Sequence, residues 1–179
     1  MATAVIIPVI VSLFLFQLQY SITTQYQQKE AANKFLSEIE ILEPFINAQN
    51  SYYVNSREMA TKDPSTPMML TVDSIYPSSG LYYINANDLG KFDHNLTKNL
   101  TKFYFDLTTA ESTRKQVIAQ SIVLSPNSTA SEQERNIANQ TILDGYKTII
   151  MATDSAAIQI PNLKSELLTV SNKKPFVFW

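Results

Sequence analysis

The sequence predicts an α+β fold: an N-terminal membrane helix continuing into a long, kinked amphipathic helix, packed on a small, mostly antiparallel sheet. Three observations carry this expectation. From Ala4 to Phe16 every residue except Pro8 and Ser12 is strongly hydrophobic. Ala32, Phe35, Ile39, Leu42 and Ile46 then recur at alternating three- and four-residue steps, the period of one helical face. Beyond Pro64 and Pro67 the texture changes to short runs of aromatic and β-branched residues, which suit strands.

Residues 1–25 read as a transmembrane anchor. A membrane-crossing helix needs roughly 20 mostly apolar residues, and the stretch from Ala2 to Ile22 reaches that length only by including Gln17, Gln19 and Ser21. The alternative, a cleaved signal peptide, has a shorter apolar region but wants a basic residue before it and a small-residue cleavage site after it, and neither is present. Lys29 and Lys34 behind the segment are balanced by Glu30 and Glu38, so charge sets orientation only weakly. The neutral polar composition places the body outside the cytoplasm, periplasmic or extracellular, on a single-pass tether in contact with membrane lipid through residues 2–22.

Residues 26–60 read as the amphipathic helix, with Lys29, Glu30, Lys34, Glu38 and Glu43 off its apolar stripe. Pro44 removes a hydrogen bond to Glu40 and predicts a kink or a break. The stretch from Thr61 to Pro67, with two prolines, closes this section. In the body, 61–179, strands are expected at Met69–Val72, Gly80–Ile84, Lys102–Thr108, Tyr146–Ala152 and Phe176–Trp179. Val117–Leu124 is either a strand or the end of a helix starting near Thr109. Ala130–Asp144 reads as a helix, with Ser131 as N-cap, Glu134 as capping-box partner and Gly145 as terminator. Residues 26–179 form one globular domain on this reading.

Composition excludes several function classes. A net charge of −2 and a pI near 5.4 argue against nucleic acid as a partner, and the basic pairs Arg114-Lys115 and Lys173-Lys174 are too few to track a phosphate backbone. With no cysteine, thiol catalysis, disulfides and cysteine-held metals are excluded. Glycines only at 80, 90 and 145 leave no phosphate-cradling loop.

An apolar helix, an amphipathic continuation and a small body is a layout that resembles pilin-like and pseudopilin-like proteins. The chain departs from that pattern in having no Gly-Phe-Thr-Leu-Ile-Glu-like processing site, no acidic residue in the apolar run and no cysteine pair. It more closely resembles the PilM-type accessory proteins of conjugative type IVB pili, through the Gln/Ala-rich stretch Gln25–Asn33 and the close from Ile158 to Trp179. The resemblance implies a non-enzymatic component of a cell-envelope assembly, with the protein subunits of a pilus or secretion apparatus as partners.

The residues themselves offer little chemistry. His94 is the only histidine, in a polar turn where solvation is its ordinary state, and a base needs a nucleophile and an orienting group within reach. Asn85–Gly90 opens like a calcium loop, but Leu89 and Leu96 stand where that loop needs oxygen ligands; Asp88 and Asp93 remain as loose oxygen donors. No cofactor is expected. Of four Asn-x-Ser/Thr sites, at Asn95, Asn99, Asn127 and Asn139, the first and third are the accessible candidates for glycosylation. The aromatic groups Tyr52-Tyr53, Tyr82-Tyr83 and Phe103-Tyr104-Phe105 read as core before binding face. Phe35, Ile39, Leu42 and Ile46 are the candidate packing surface, against a partner helix or against the chain's own body. The alternative function is a surface-exposed recognition or adhesion ectodomain, glycosylated at Asn95 or Asn127.

Overall fold

The computed structural model describes residues 3–62 and 86–174. Among the described residues there are three α-helices, α1 (Thr3–Lys62), α2 (His94–Val123) and α3 (Glu132–Ser171), with a 3-10 turn at Ala86–Lys91 ahead of α2. The predicted α+β architecture is overturned: among the described residues there is no strand, and the body is an all-helical bundle. The expected strands at Lys102–Thr108 and Tyr146–Ala152 are interior turns of α2 and α3. Those at Met69–Val72, Gly80–Ile84 and Phe176–Trp179 lie outside the described residues.

The reason is the length over which the apolar pattern is read. Lys102–Thr108 taken alone is aromatic and β-branched, but Leu96, Leu100, Phe103, Leu107, Ala110 and Val117 are all buried, at helical spacing across six turns. In α3 the buried row Ile142, Tyr146, Ile149, Ala156, Ile160, Leu163 and Leu167 follows the same rule. Tertiary burial along a long stripe outweighs local β propensity.

Local signals fix the ends. Asp93 caps α2, its carboxylate accepting from the Leu96 amide at 2.9 Å. Ser131 caps α3 in a two-way capping box: Glu134 N–H donates to Ser131 Oγ at 3.3 Å, and the Ser131 amide donates back to Glu134 Oε2 at 2.7 Å. These bonds hold the Glu134 carboxyl below its ordinary pKa, the backbone bond contributing most. Helix α1 ends at Lys62, just ahead of the Asp63-Pro64 pair, in which proline biases its predecessor away from helical dihedrals.

Neither Pro44 nor Pro161 ends its helix. Both rings are exposed, so the carbonyls that lose an N–H partner, those of Glu40 and Ala157, belong to the outer part of the bundle. The expected break at Pro44 is therefore absent, and α1 is one helix of 60 residues, about 90 Å at 1.5 Å per residue.

The transmembrane, single-pass anchor is also overturned. Among the described residues no helix is long and apolar enough to cross a membrane. The dense apolar run stops at Phe16, and Gln17, Gln19, Ser21, Thr23 and Thr24 follow within two turns. With the anchor goes the ground for a membrane-held body placed outside the cytoplasm.

Side-chain pairings give the directions. Asn50 donates to Thr153 Oγ1 and Asp154 Oδ1, Lys164 pairs with Glu43, and Ser171 donates to Asn33, so α1 and α3 run antiparallel. Asn99 with Glu166 and Asp106 with Gln159 set α2 antiparallel to α3 as well. Helix α3 thus serves both neighbours, while α1 and α2 run parallel and meet through long side chains such as Phe35 and Tyr104, ring centres 6.0 Å apart.

Gly145, expected to terminate a helix, sits buried inside α3, where a Cβ would lie 2.3 Å from Val117 Cγ2 of α2. Its role is close approach, not termination. Gly145→Ala gains up to ~1 kcal/mol of helix propensity but meets a stiff β-branched neighbour, and overpacking costs about 1–3 kcal/mol. Urea unfolding is expected to show a net loss of stability, restored at least in part by adding Val117→Ala.

Candidate functional site

The predicted packing surface is the chain's own core. Phe35, Ile39 and Ile46 are fully buried and Leu42 nearly so, covered by α2 and α3. Phe35 meets Phe92 edge-on with ring centres 5.9 Å apart. On the same helix the buried Glu38 accepts from the Tyr104 hydroxyl at 2.6 Å. The stripe therefore holds the bundle together, each of its large side chains contributing about 1.5–3 kcal/mol by burial.

Further along the bundle lies a buried polar layer the sequence did not announce. Arg114 donates from Nε and Nη2 to the two oxygens of Glu111, both at 2.8 Å, one turn apart on α2. Beside this pair Tyr53 and Tyr146 bring their rings to 5.8 Å. The Tyr53 and Ser56 hydroxyls are buried without a hydrogen-bond partner, which costs about 1–3 kcal/mol for such a group. Burial pushes the Tyr146 phenol up to about 12 and drives the Tyr53 phenol higher still, with Arg114 opposing the latter.

Among surface groups, Lys102, Asp106, Ser155 and Gln159 converge. Lys102 Nζ donates to Ser155 Oγ at 2.8 Å and to Asp106 at 3.2 Å; Ser155 Oγ and Gln159 Nε2 donate to the same Asp106 oxygen at 2.7 and 2.8 Å. A serine between a lysine and an aspartate has the parts of an activated nucleophile. Here, however, the serine proton is spent on a carboxylate already paired with the lysine, and a base needs a free lone pair. The network is a clasp between α2 and α3.

The remaining sequence candidates are dispersed. His94 is the exposed first residue of α2. Asp88 pairs with Lys91 and, at 4.0 Å, with Lys34, while Asp93 is the α2 cap. Asn95 is exposed in the first turn of α2, and Asn127 is exposed between α2 and α3. Asn99 is tied to Glu166 and Asn139 is half-buried. Tyr52, Tyr53, Phe103 and Tyr104 are core or half-buried, Phe105 is exposed, and Tyr82-Tyr83 lie outside the described residues.

The first part of α1 carries large apolar side chains that are exposed to solvent. Among the described residues the body meets it at Asn33, which accepts from Ser171 at the end of α3, at Gln28, whose Nε2 donates to the Lys91 carbonyl at 2.6 Å, and at Gln25 and Tyr26, which line a pocket with Lys173. Some 22 residues of α1, about 33 Å of helix, precede Gln25. They carry Val11, Leu13, Leu15, Phe16 and Tyr20 exposed, Phe16 and Tyr20 by 69% and 68%. Single exposed apolar residues are ordinary, but a helix that is apolar on several faces is normally covered.

No family model, curated protein or solved structure matches this chain. The pilin-like resemblance accordingly rests on layout alone, and the geometry above carries the functional argument.

Two outcomes test these assignments. Ile39→Ala and Phe35→Ala should each cost about 2–5 kcal/mol in chemical denaturation, as core truncations do. The folded state keeps the Tyr53 and Tyr146 protons where the unfolded chain releases them near pH 10. Stability is therefore full below pH 10 and falls as pH rises through 10 to 12 and beyond. Tyr53→Phe is expected to hold or raise the melting temperature at pH 7 by removing an unpaired hydroxyl. Tyr53→Phe with Tyr146→Phe should flatten the alkaline decline in thermal melts.

Proposed function

We propose that this protein is a non-enzymatic subunit of a multiprotein assembly, joined to that assembly by the projecting first part of α1. The observation that carries the reading is the division of one continuous helix. Past Ala31 one apolar face is consumed by the body while Ile41, Phe45 and Met59 stay exposed off it, whereas from Val11 to Tyr20 the apolar side chains stand exposed on more than one face. Apolar side chains exposed on more than one face of a helix are available for contacts with other protein subunits. An accessory subunit of a pilus- or secretion-type apparatus is the role closest to the layout resemblance. The polar groups that join α2 to α3, Asp106 and Lys102 with Ser155 and Gln159, fit a rigid structural part, since each is committed to holding the two helices together.

Aspartate at Leu13 and Phe16 is expected to remove the docking capacity and leave helicity and melting temperature within a few per cent, because neither side chain touches the core. Co-purification of tagged full-length protein from its native cells measures this. Equal recovery of partner subunits with the double variant overturns the reading.

A further inference from the structure

We infer that the body carries a built-in bending joint at the level where Pro44 of α1 and Pro161 of α3 lie side by side. The two helices yield there together, against an unbroken α2.

The register sets the prolines opposite each other. Asn33 pairs with Ser171, Glu43 with Lys164, and Asn50 with Thr153 and Asp154. As α1 advances from Asn33 to Asn50, its partners on α3 recede from Ser171 to Thr153, close to one residue for one. Pro44 follows Glu43 directly, and Pro161 lies within one turn of Lys164, so both prolines occupy one level of the interface.

Each proline removes a backbone bond at that level. The Pro44 nitrogen has no hydrogen for the Glu40 carbonyl, nor the Pro161 nitrogen for that of Ala157. Both rings are exposed, while Leu42 and Ile46 of α1 and Ile160 and Leu163 of α3 stay buried beneath them. Side-chain packing thus runs through the level without a gap, and only the hydrogen-bond ladders are interrupted. Sharp bends in helices gather at proline for this reason. A single interrupted helix between intact neighbours is held straight by them. Two that are interrupted at one level can bend without parting. The third helix resists, since α2 has neither proline nor glycine from His94 to Val123.

Polar ties make the motion common to α1 and α3. The Glu43–Lys164 pair spans the joint itself, and Asn50 with Asp154 and Asn33 with Ser171 pin the helices on either side of it. Bending one helix alone would pull these groups apart; bending both keeps them together. The level divides the body into an end that holds Phe35 with Phe92 and an end that holds Tyr53 with Tyr146. The clasps hold each end, and the body yields between them.

The test is backbone hydrogen exchange of the full-length protein, read by NMR without denaturant in three stretches. These are 41–48 of α1, 158–165 of α3, and 99–106 of α2, which Asn99–Glu166 and Asp106–Gln159 place at the same level. Stretches 41–48 and 158–165 are expected to share one protection factor, about tenfold or more below that of 99–106, as amides that open locally do. Alanine needs no repacking at an exposed ring, so Pro44→Ala and Pro161→Ala both keep the fold. Each is expected to raise protection about tenfold in both 41–48 and 158–165, by restoring helix propensity, and to leave 99–106 unchanged. Equal protection of the three stretches in the unmodified chain overturns the inference. So does a variant that protects only its own helix, which would make the prolines two independent weak points. A variant that slows all three stretches alike reports global stabilisation and overturns it as well.

Discussion

The row of apolar side chains along α3, from Ile142 through Tyr146, Ile149, Ala156 and Ile160 to Leu167, is shared by both neighbouring helices, and the geometry of the body follows from that sharing. Helices α1 and α2 pack on α3 from two sides and therefore run parallel to each other, meeting through side chains long enough to bridge the gap. Phe35, Tyr104 and Glu38 do so at one level, and Tyr53 with Arg114 and Glu111 at another. A close approach at Gly145, where a Cβ would meet Val117, limits how tightly α2 seats on the shared row. A side chain there would move the whole interface, because packed interiors have little spare volume.

The polar groups of the interior limit how these helices slide. Burying the Glu111–Arg114 pair gives modest net stability, since desolvation offsets most of the attraction. Its consequence is registry: a one-turn slip of α2 would carry a charged pair away from the helix α1 surface shaped around it. The outer clasps, Lys164 with Glu43 and Asp106 with Ser155 and Gln159, act in the same sense at lower cost, because they sit near water.

Much of the helical content was legible residue by residue. The α1 stripe, the Ser131–Glu134 capping box and the boundary before Pro64 were each read from local chemistry and occur where the sequence places them. Strands were expected where aromatic and β-branched residues cluster, because a seven-residue window hides a period that becomes plain only from Leu96 to Val117. Gly145 and Pro44 misled for a related reason. Each breaks a helix in isolation, but burial against Val117 in one case and an outward-facing ring in the other reverse that effect. The candidate docking segment was legible as apolar and not as exposed. Only the fold shows that Val11, Leu13, Leu15, Phe16 and Tyr20 stay exposed while Phe35, Ile39 and Ile46 do not. The Lys102–Asp106–Ser155–Gln159 network joins residues about 50 positions apart and had no local signal beyond two four-residue spacings.

One continuous α-helix carries both the core stripe and the exposed apolar side chains from Val11 to Tyr20. The two parts are therefore joined by a stiff shaft and not a hinge. Each residue along the Ser21–Gln28 stretch advances the helix by 1.5 Å and turns it by about 100°. Adding or removing one residue there would leave the body and the apolar segment individually intact yet re-aim one relative to the other by more than a quarter turn. Seven residues would almost restore the original bearing at a reach about 10 Å different. The neutral, uninterrupted Gln-rich junction thus acts as an indexing element. It fixes the direction in which every body is presented around whatever the apolar segment joins.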